Sequence, residues 1–281
     1  PIFPRRFCKT EVGGYGWMDL GAASFIIIAG LTSAASSSSY GDASTSNQTS
    51  VKSIASWKRA MKKCTPLIVI GFVRLATNKG LEYQEHVSEY GVHWNFFFTL
   101  CFVEGFMVLW RSRKNSLGNT FSSTPFDGVV AIMLMIPYQI YLSGGGQYFI
   151  ENGDRKCSSD TSWLSSLPNI CNIFAANREG ILGVVGYWSL RLLSEEVGRY
   201  CLGCKSSLKQ QRLITTSIAL WTVHLTMVIG LGITNSRRST NFPFIIWALA
   251  HNITILCLIR FVMTADGMTD VPHILNVVNR F

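Results

Sequence analysis

An all-α, polytopic bundle of transmembrane helices is expected from two features of this chain. Of its 281 residues, 48% are hydrophobic and only 15% are charged, below the roughly 25% charged that soluble domains carry. Apolar runs near the length of about 20 residues that a helix needs to cross hydrocarbon recur along the sequence, and about seven spans are expected from them. All seven belong to a single membrane domain, residues 1–281. The formal charge of +9 is scattered over the segments between apolar runs, with no RNA- or DNA-binding motif beside it, so a basic membrane face is a simpler reading than nucleic acid.

The first span, 17–36, follows the basic segment PIFPRRFCKTEVGG and carries Asp19 in its first turn. An ion there is costly in lipid, so Asp19 is expected to have a partner or to face a polar cavity. The Ser-rich tract at 37–57 is polar and aperiodic and reads as a flexible loop. A short second span, 66–77, contains Arg74, expected to face protein or a water-filled cavity. The third, 92–110, holds Glu104; the fourth, 125–143, has Pro137 as its expected kink and the glycines at 144–146 as its end. A polar loop, 144–178, leads to the short fifth span, 181–194, with Arg191 inside it, and spans at 213–231 and 242–263 follow. The Lys and Arg balance between loops places the first–second, third–fourth and fifth–sixth connections in the cytosol. The amino-terminal segment, the connection between spans two and three, and the loop bearing Cys157 and Cys171 then share the other face, where those two cysteines are candidates for a disulfide. Because the sequence opens on Pro1, with no signal peptide ahead of the first span, it reads as a fragment or a processed piece.

Chemistry-bearing residues gather in NKGLEYQEHVSEYGVHWN. Glu82, His86, Glu89 and His93 are spaced 4, 3 and 4 apart, which places them on one face of a helix leading into the third span. Two carboxylates beside two imidazoles handle protons near neutral pH, and Tyr90 and Asn95 add hydrogen-bonding groups suited to a polyol. A solvated helix with ordinary i to i+4 pairs explains the same spacing. Arg5, Arg6 and Lys9 likewise read either as phosphate-binding cations or as interfacial anchors. No metal site is expected: Cys201 and Cys204 form one C-x-x-C without a second pair, and there is no H-E-x-x-H. The serine-hydrolase elbow, the phosphate-binding P-loop and the dinucleotide fingerprint are absent from the sequence as well.

The stretches FPRRFCKTE, GYGWMDLGAASF, ATNKGLEYQEHVSEYGVHWNFFFTL, EGILGVVGYWSL and NSRR together resemble the inositol acyltransferase family of GPI-anchor biosynthesis, the PIG-W family. The resemblance covers most of the chain apart from the Ser-rich tract and the last dozen residues. It implies a multi-pass enzyme of the endoplasmic reticulum membrane that moves a fatty acyl chain, typically palmitoyl, from acyl-CoA to the inositol 2-hydroxyl of glucosaminyl-phosphatidylinositol. Acyl-CoA is then a co-substrate and no resident cofactor is implied. The family pairs an Asp just upstream of the FPRRF motif with the Lys that matches Lys9; the Asp position falls before Pro1. On this resemblance Arg5 and Arg6 bind a phosphate of CoA or of the phosphoinositide. Glu82, His86, Glu89, His93 and Asn95 line the headgroup side, and Asp19 and Lys79 complete the substrate-binding set.

Two other readings stay open on the residues alone. One is a truncated, inactive member of the same family. The other is a membrane transporter or lipid-binding scaffold in which Arg74, Glu104 and Arg191 line a conduction path, since ions within a membrane segment mark pathways as readily as catalytic sites. Beyond the bilayer and the two lipid-derived substrates, the sequence names no protein partner.

Overall fold

The computed structural model describes residues 4, 7–39, 49–80, 89–116, 126–156, 168–204 and 206–265, and among these the regular structure is entirely helical. A 3-10 turn, Trp17–Asp19, opens α1 (Leu20–Ser39); α2 (Thr49–Gly80), α3 (Phe96–Ser116) and α4 (Phe126–Tyr141) follow. A wide π turn at Leu142–Gly146 joins α4 to α5 (Gln147–Asn152), ahead of α6 (Pro168–Ala176) and α7 (Arg178–Leu202). The last helices are α8 (Ser206–Leu225), which ends in a second π turn at Thr226–Gly230, and α9 (Phe242–Ala265). The chain is thus an all-α membrane bundle. Among the described residues, four helical stretches are long and apolar enough to cross a bilayer: Trp17–Ala35, Phe126–Asn152, Ser207–Gly230 and Phe242–Met263. They carry large apolar side chains outward, among them Phe25, Met133, Ile140, Ile218 and Ile229, a surface that suits hydrocarbon.

The spine of the bundle is α7, against which α1, α3, α4, α8 and α9 pack, while α2 pairs with α3 and α8 with α9. Lipid tails are as apolar as leucine, so helices in a bilayer associate through close packing, and small residues at the contact make it close. On α7 the inner face is rich in such residues: Gly180, Gly183, Gly186, Ser189, Ser194 and Gly198 are all buried. Where α1 crosses, a Cβ at Gly30 would stand 2.5 Å from that of Ser194. At the other end of α7, a Cβ at Gly186 would stand 2.3 Å from the Thr240 carbonyl oxygen. Around these seams lie Ile26, Ile27, Leu190, Phe244, Ile245 and Leu249, each buried almost completely in one core.

Several expectations are corrected by the fold. Helix extends into the expected Ser-rich loop at 37–57 from both sides, to Ser39 and from Thr49; Val51, Ile54, Trp57 and Met61 recur at helical spacing there. Nor is 144–178 loop throughout, since α5 and α6 lie within it. The helix axis breaks at Gly145, whose φ of 111° glycine adopts without a Cβ clash, whereas Pro137 sits inside an unbroken α4. Arg74 is exposed, because α2 meets α3 along a narrow buried edge of Ala60, Cys64 and Gly71. The expected helix face through Glu82, His86, Glu89 and His93 is not formed at its described end: residues 89–95 are a turn with Gly91 at φ 111°, and α3 starts only at Phe96. Cys171 is disulfide-bonded, while Cys157 lies outside the described residues.

The contact at Gly186 yields a direct test. Gly186→Ala forces the 236–241 turn off α7, with an expected loss of about 1–3 kcal/mol, read as a lower melting temperature of the detergent-solubilised protein. Gly21→Ala is the matched control, since nothing lies within 4 Å of its Cβ position; an equal drop in both variants would refute the close-packing account.

Candidate active site

The segment before α1 folds back on its own helix around one carboxylate. Asp19, at the end of the 3-10 turn, is 1% exposed. Its Oδ1 accepts from the Thr10 N–H at 3.1 Å and its Oδ2 from the Thr10 hydroxyl at 2.8 Å. The Arg237 Nε lies 2.8 Å from Oδ1. Thr10 is thereby fixed, and the adjacent Lys9 with it. The Lys9 Nζ stands 2.5 Å from Glu89 Oε1, and the lysine side chain keeps 41% of its surface open to solvent against 16% for the glutamate. Downstream, Gly14 and Asn235 are joined twice, by the Gly14 N–H to the Asn235 carbonyl at 2.8 Å and by Asn235 Nδ2 to the Gly14 carbonyl at 2.7 Å.

The other wall is the turn Asn235–Asn241, every residue of which is buried although all seven are polar or charged. Such a turn survives burial only if its polar groups are paired. Asn241 Oδ1 accepts from the N–H groups of Ser236 and Phe244 at 3.1 and 3.2 Å, closing the turn and capping the first turn of α9. Arg238 reaches Glu179 Oε1 at 3.1 Å, and Arg155 meets the same oxygen at 2.7 Å. Beside it, Arg178 donates to the carbonyls of Ile150, Asp154 and Ala175, tying the ends of α5 and α6 to the start of α7. Tyr90 stands next to Tyr187, and burial first, then that neighbour, hold its phenol well above the ordinary value, so it acts as a neutral hydrogen-bonding group. Tyr15 O–H donates to His224 Nε2 at 2.9 Å, because Nδ1 must carry the proton that reaches the Pro243 carbonyl at 3.1 Å.

A family model described as GWT1 matches residues 1–280 of the chain. The chain belongs to the GWT1 family. Among curated relatives, GPI-anchored wall transfer protein 1 of Yarrowia lipolytica is 33% identical over 270 residues, which cover 89% of this chain and 49% of that protein. The same-named protein of Eremothecium gossypii is 30% identical, covering 99% of this chain and 60% of its own length. An uncharacterized protein of Arabidopsis thaliana is 31% identical, covering 91% and 51%. The chain spans about half the length of the curated relatives it matches.

Within this GWT1-family fold, Lys9 and Glu89 meet, and Asp19 has the partner that its place in an apolar span demanded. His93 is exposed, and its backbone N–H donates to Asn177 Oδ1 at 2.7 Å. Asn95 is buried, and its side-chain amide is engaged within the protein. Its Oδ1 accepts from the N–H groups of Phe97 and Phe98 at 3.0 and 3.2 Å, capping α3, while its Nδ2 donates to the Gly71 carbonyl of α2 at 2.9 Å. Arg5, Arg6, Glu82 and His86 lie outside the described residues, as does the side chain of Lys79. Glu104 and Arg191, considered above for a conduction path, face each other at 3.7 Å. Lys63 and Glu195 complete their pairing at 3.2 and 3.1 Å. Sequence reasoning missed Thr10, Glu179, Arg237 and Arg238 as parts of the site. The signal for the arginines was present in NSRRSTNFPF, where two cations sit directly ahead of a strongly apolar helix.

Removing the charge from Asp19 while keeping its shape tests the role of the pair. Asp19→Asn leaves Arg237 buried without a counter-ion, at an expected cost of about 3–5 kcal/mol, measured by thermal unfolding in detergent. The double variant Asp19→Asn/Arg237→Gln is expected to lose less than the sum of the two single changes; strict additivity would show that the two side chains do not act as a pair.

Proposed function

We propose that the full-length protein containing this chain is an O-acyltransferase of the endoplasmic reticulum membrane, transferring palmitoyl from acyl-CoA to the inositol 2-hydroxyl of glucosaminyl-phosphatidylinositol. Membership of the GWT1 family supports this reading, as do relatives named for GPI-anchored wall transfer. The observation that carries it is Lys9: a half-exposed ammonium next to Thr10, which the buried Asp19 carboxylate pins, and oriented by Glu89.

A secondary hydroxyl is a weak nucleophile at neutral pH and needs a base within hydrogen-bond reach, and a thioester carbonyl needs a donor or cation where its oxyanion develops. In this reading the Asp that the family resemblance puts upstream of Pro1 takes the proton from the 2-hydroxyl. The inositol oxygen then adds to the thioester carbon, and the Lys9 ammonium faces the oxyanion that forms. Collapse breaks the carbon–sulfur bond, and the departing CoA thiolate takes the proton. Transfer is direct, so no acyl-enzyme is required and acyl-CoA is the sole co-substrate. Glu89 positions Lys9, and Arg5 and Arg6 supply cations suited to a phosphate.

Lys9→Ala in the full-length protein is expected to reduce acyl transfer from palmitoyl-CoA by about a hundred- to a thousandfold, the range seen when an oxyanion donor is lost. Expression and membrane insertion are expected to be unchanged. The readout is acylated lipid formed by acyltransferase-deficient membranes carrying the variant, and retained transfer would refute the assignment.

A further inference from the structure

An open groove of about 450 Å³ runs along the end of α4 and α5 beside the 232–234 segment, lined in part by Gln147, Tyr148, Glu151, Asn152 and Thr234. Two of its lining residues are glycines in the left-handed region, Gly145 at φ 111° and Gly232 at φ 66°. Nothing lies within 4 Å of the position a Cβ would take at either one, so bare backbone faces the groove. Glu151 Oε1 accepts from the Ser236 hydroxyl at 2.8 Å and from Gln147 Nε2 at 3.1 Å. These donors are neutral. Three other carboxylates in this part of the bundle each have a cation beside them: Asp19 has Arg237, Glu89 has Lys9, and Glu179 has Arg155 and Arg238. Among the described residues, no Lys or Arg nitrogen forms an ion pair with Glu151. On the rim stands Tyr148, 72% exposed.

A single fixed carboxylate, a side-chain amide, bare backbone and an exposed aromatic ring make a poor divalent-metal site, which needs several anionic or carbonyl oxygens around one point. They suit an amine-bearing sugar. The ring offers its face to the sugar's C–H surface, the amides meet hydroxyls, and the carboxylate takes the ammonium in a charge-assisted hydrogen bond. The groove is joined to the Lys9 segment through Ser236, whose hydroxyl also lies 3.3 Å from the Val12 carbonyl and whose neighbour Arg237 holds Asp19. A ligand seated there would have its remaining end beside the amino-terminal segment.

We propose that this groove binds the amino-sugar end of the lipid headgroup, with Glu151 receiving its ammonium and Tyr148 stacking on its ring. The identity of the lipid rests on the acyltransferase reading; the preference for a cationic sugar rests on the groove alone. Binding to the purified full-length protein is therefore measured with a water-soluble probe, glucosaminyl-inositol, alongside its N-acetylated form and free inositol, and acyl transfer is measured separately on the lipids. The wild-type protein is expected to prefer the free amine. Glu151→Gln is expected to weaken that probe by about tenfold or more, as loss of a charged hydrogen bond does, and to leave the N-acetylated form unchanged, so that the preference collapses. Tyr148→Ala, which alters only an exposed ring, is expected to weaken both sugars and spare free inositol. If the amine preference survives Glu151→Gln, or both sugars bind Tyr148→Ala as tightly as wild type, the groove assignment is overturned. If the probe behaves as expected but wild-type protein transfers no acyl chain, the groove stands and the acyltransferase reading falls.

Discussion

A carboxylate and a guanidinium buried together at the start of the first membrane helix set the geometry of everything around them. Asp19 and Arg237 are separated by 218 positions in the chain yet stand 2.8 Å apart, with both side chains almost wholly withdrawn from solvent. Either ion alone would be expensive at that depth. Their pairing therefore requires the segment before α1 and the turn before α9 to meet at one place and in one register. Thr10 shares the carboxylate through its N–H and its hydroxyl, so the requirement passes from Arg237 through Asp19 to the backbone next to Lys9. The position of Lys9 is thus set by a contact in which it takes no part.

A polar turn of this kind has to be given room inside an otherwise apolar bundle, and α7 supplies it. Gly186 brings its backbone against the Thr240 carbonyl, which lets the buried turn lie directly on the spine helix. The turn's own amide side chains, Asn235 and Asn241, then satisfy backbone groups that regular helix would otherwise have paired. Arg178 does similar work for its neighbours, since its guanidinium occupies the carbonyls left over at the ends of α5 and α6. Close packing and polar pairing depend on one another here. Without small residues the turn could not approach, and without its internal hydrogen bonds it could not remain buried.

Much of the architecture was legible in the sequence because hydrophobic length is a strong signal: it gives an all-α membrane bundle, and among the described residues stretches able to cross a bilayer begin at Trp17, Phe126, Ser207 and Phe242. A partner for Asp19 was equally legible, since the cost of an ion in lipid demands one. Its identity was not. Arg237 and Arg238 looked like ordinary loop charges, because their place just ahead of an apolar helix does not by itself separate a solvated arginine from one folded inward by distant contacts. The 4, 3, 4 spacing of Glu82, His86, Glu89 and His93 misled for the opposite reason. Periodicity assumes continuous helix, and Gly91 with a positive φ interrupts it. The capping role of Asn95 was not legible because a helix cap and a headgroup ligand use the same side-chain amide, and only the position of the α3 start shows the cap.

The contrast between the two charged residues of the amino-terminal segment bears most directly on function. Asp19 is enclosed, with Thr10 and Arg237 taking its oxygens, and such a group has little capacity left for a substrate. Lys9 has one partner and open surface, and an exposed ion pair is worth little to stability. A folding requirement thus explains the first residue but not the second. Lys9 is thus held in a definite place by a segment anchored elsewhere, and the role proposed for its ammonium gives that placement a reason that its single half-exposed ion pair does not.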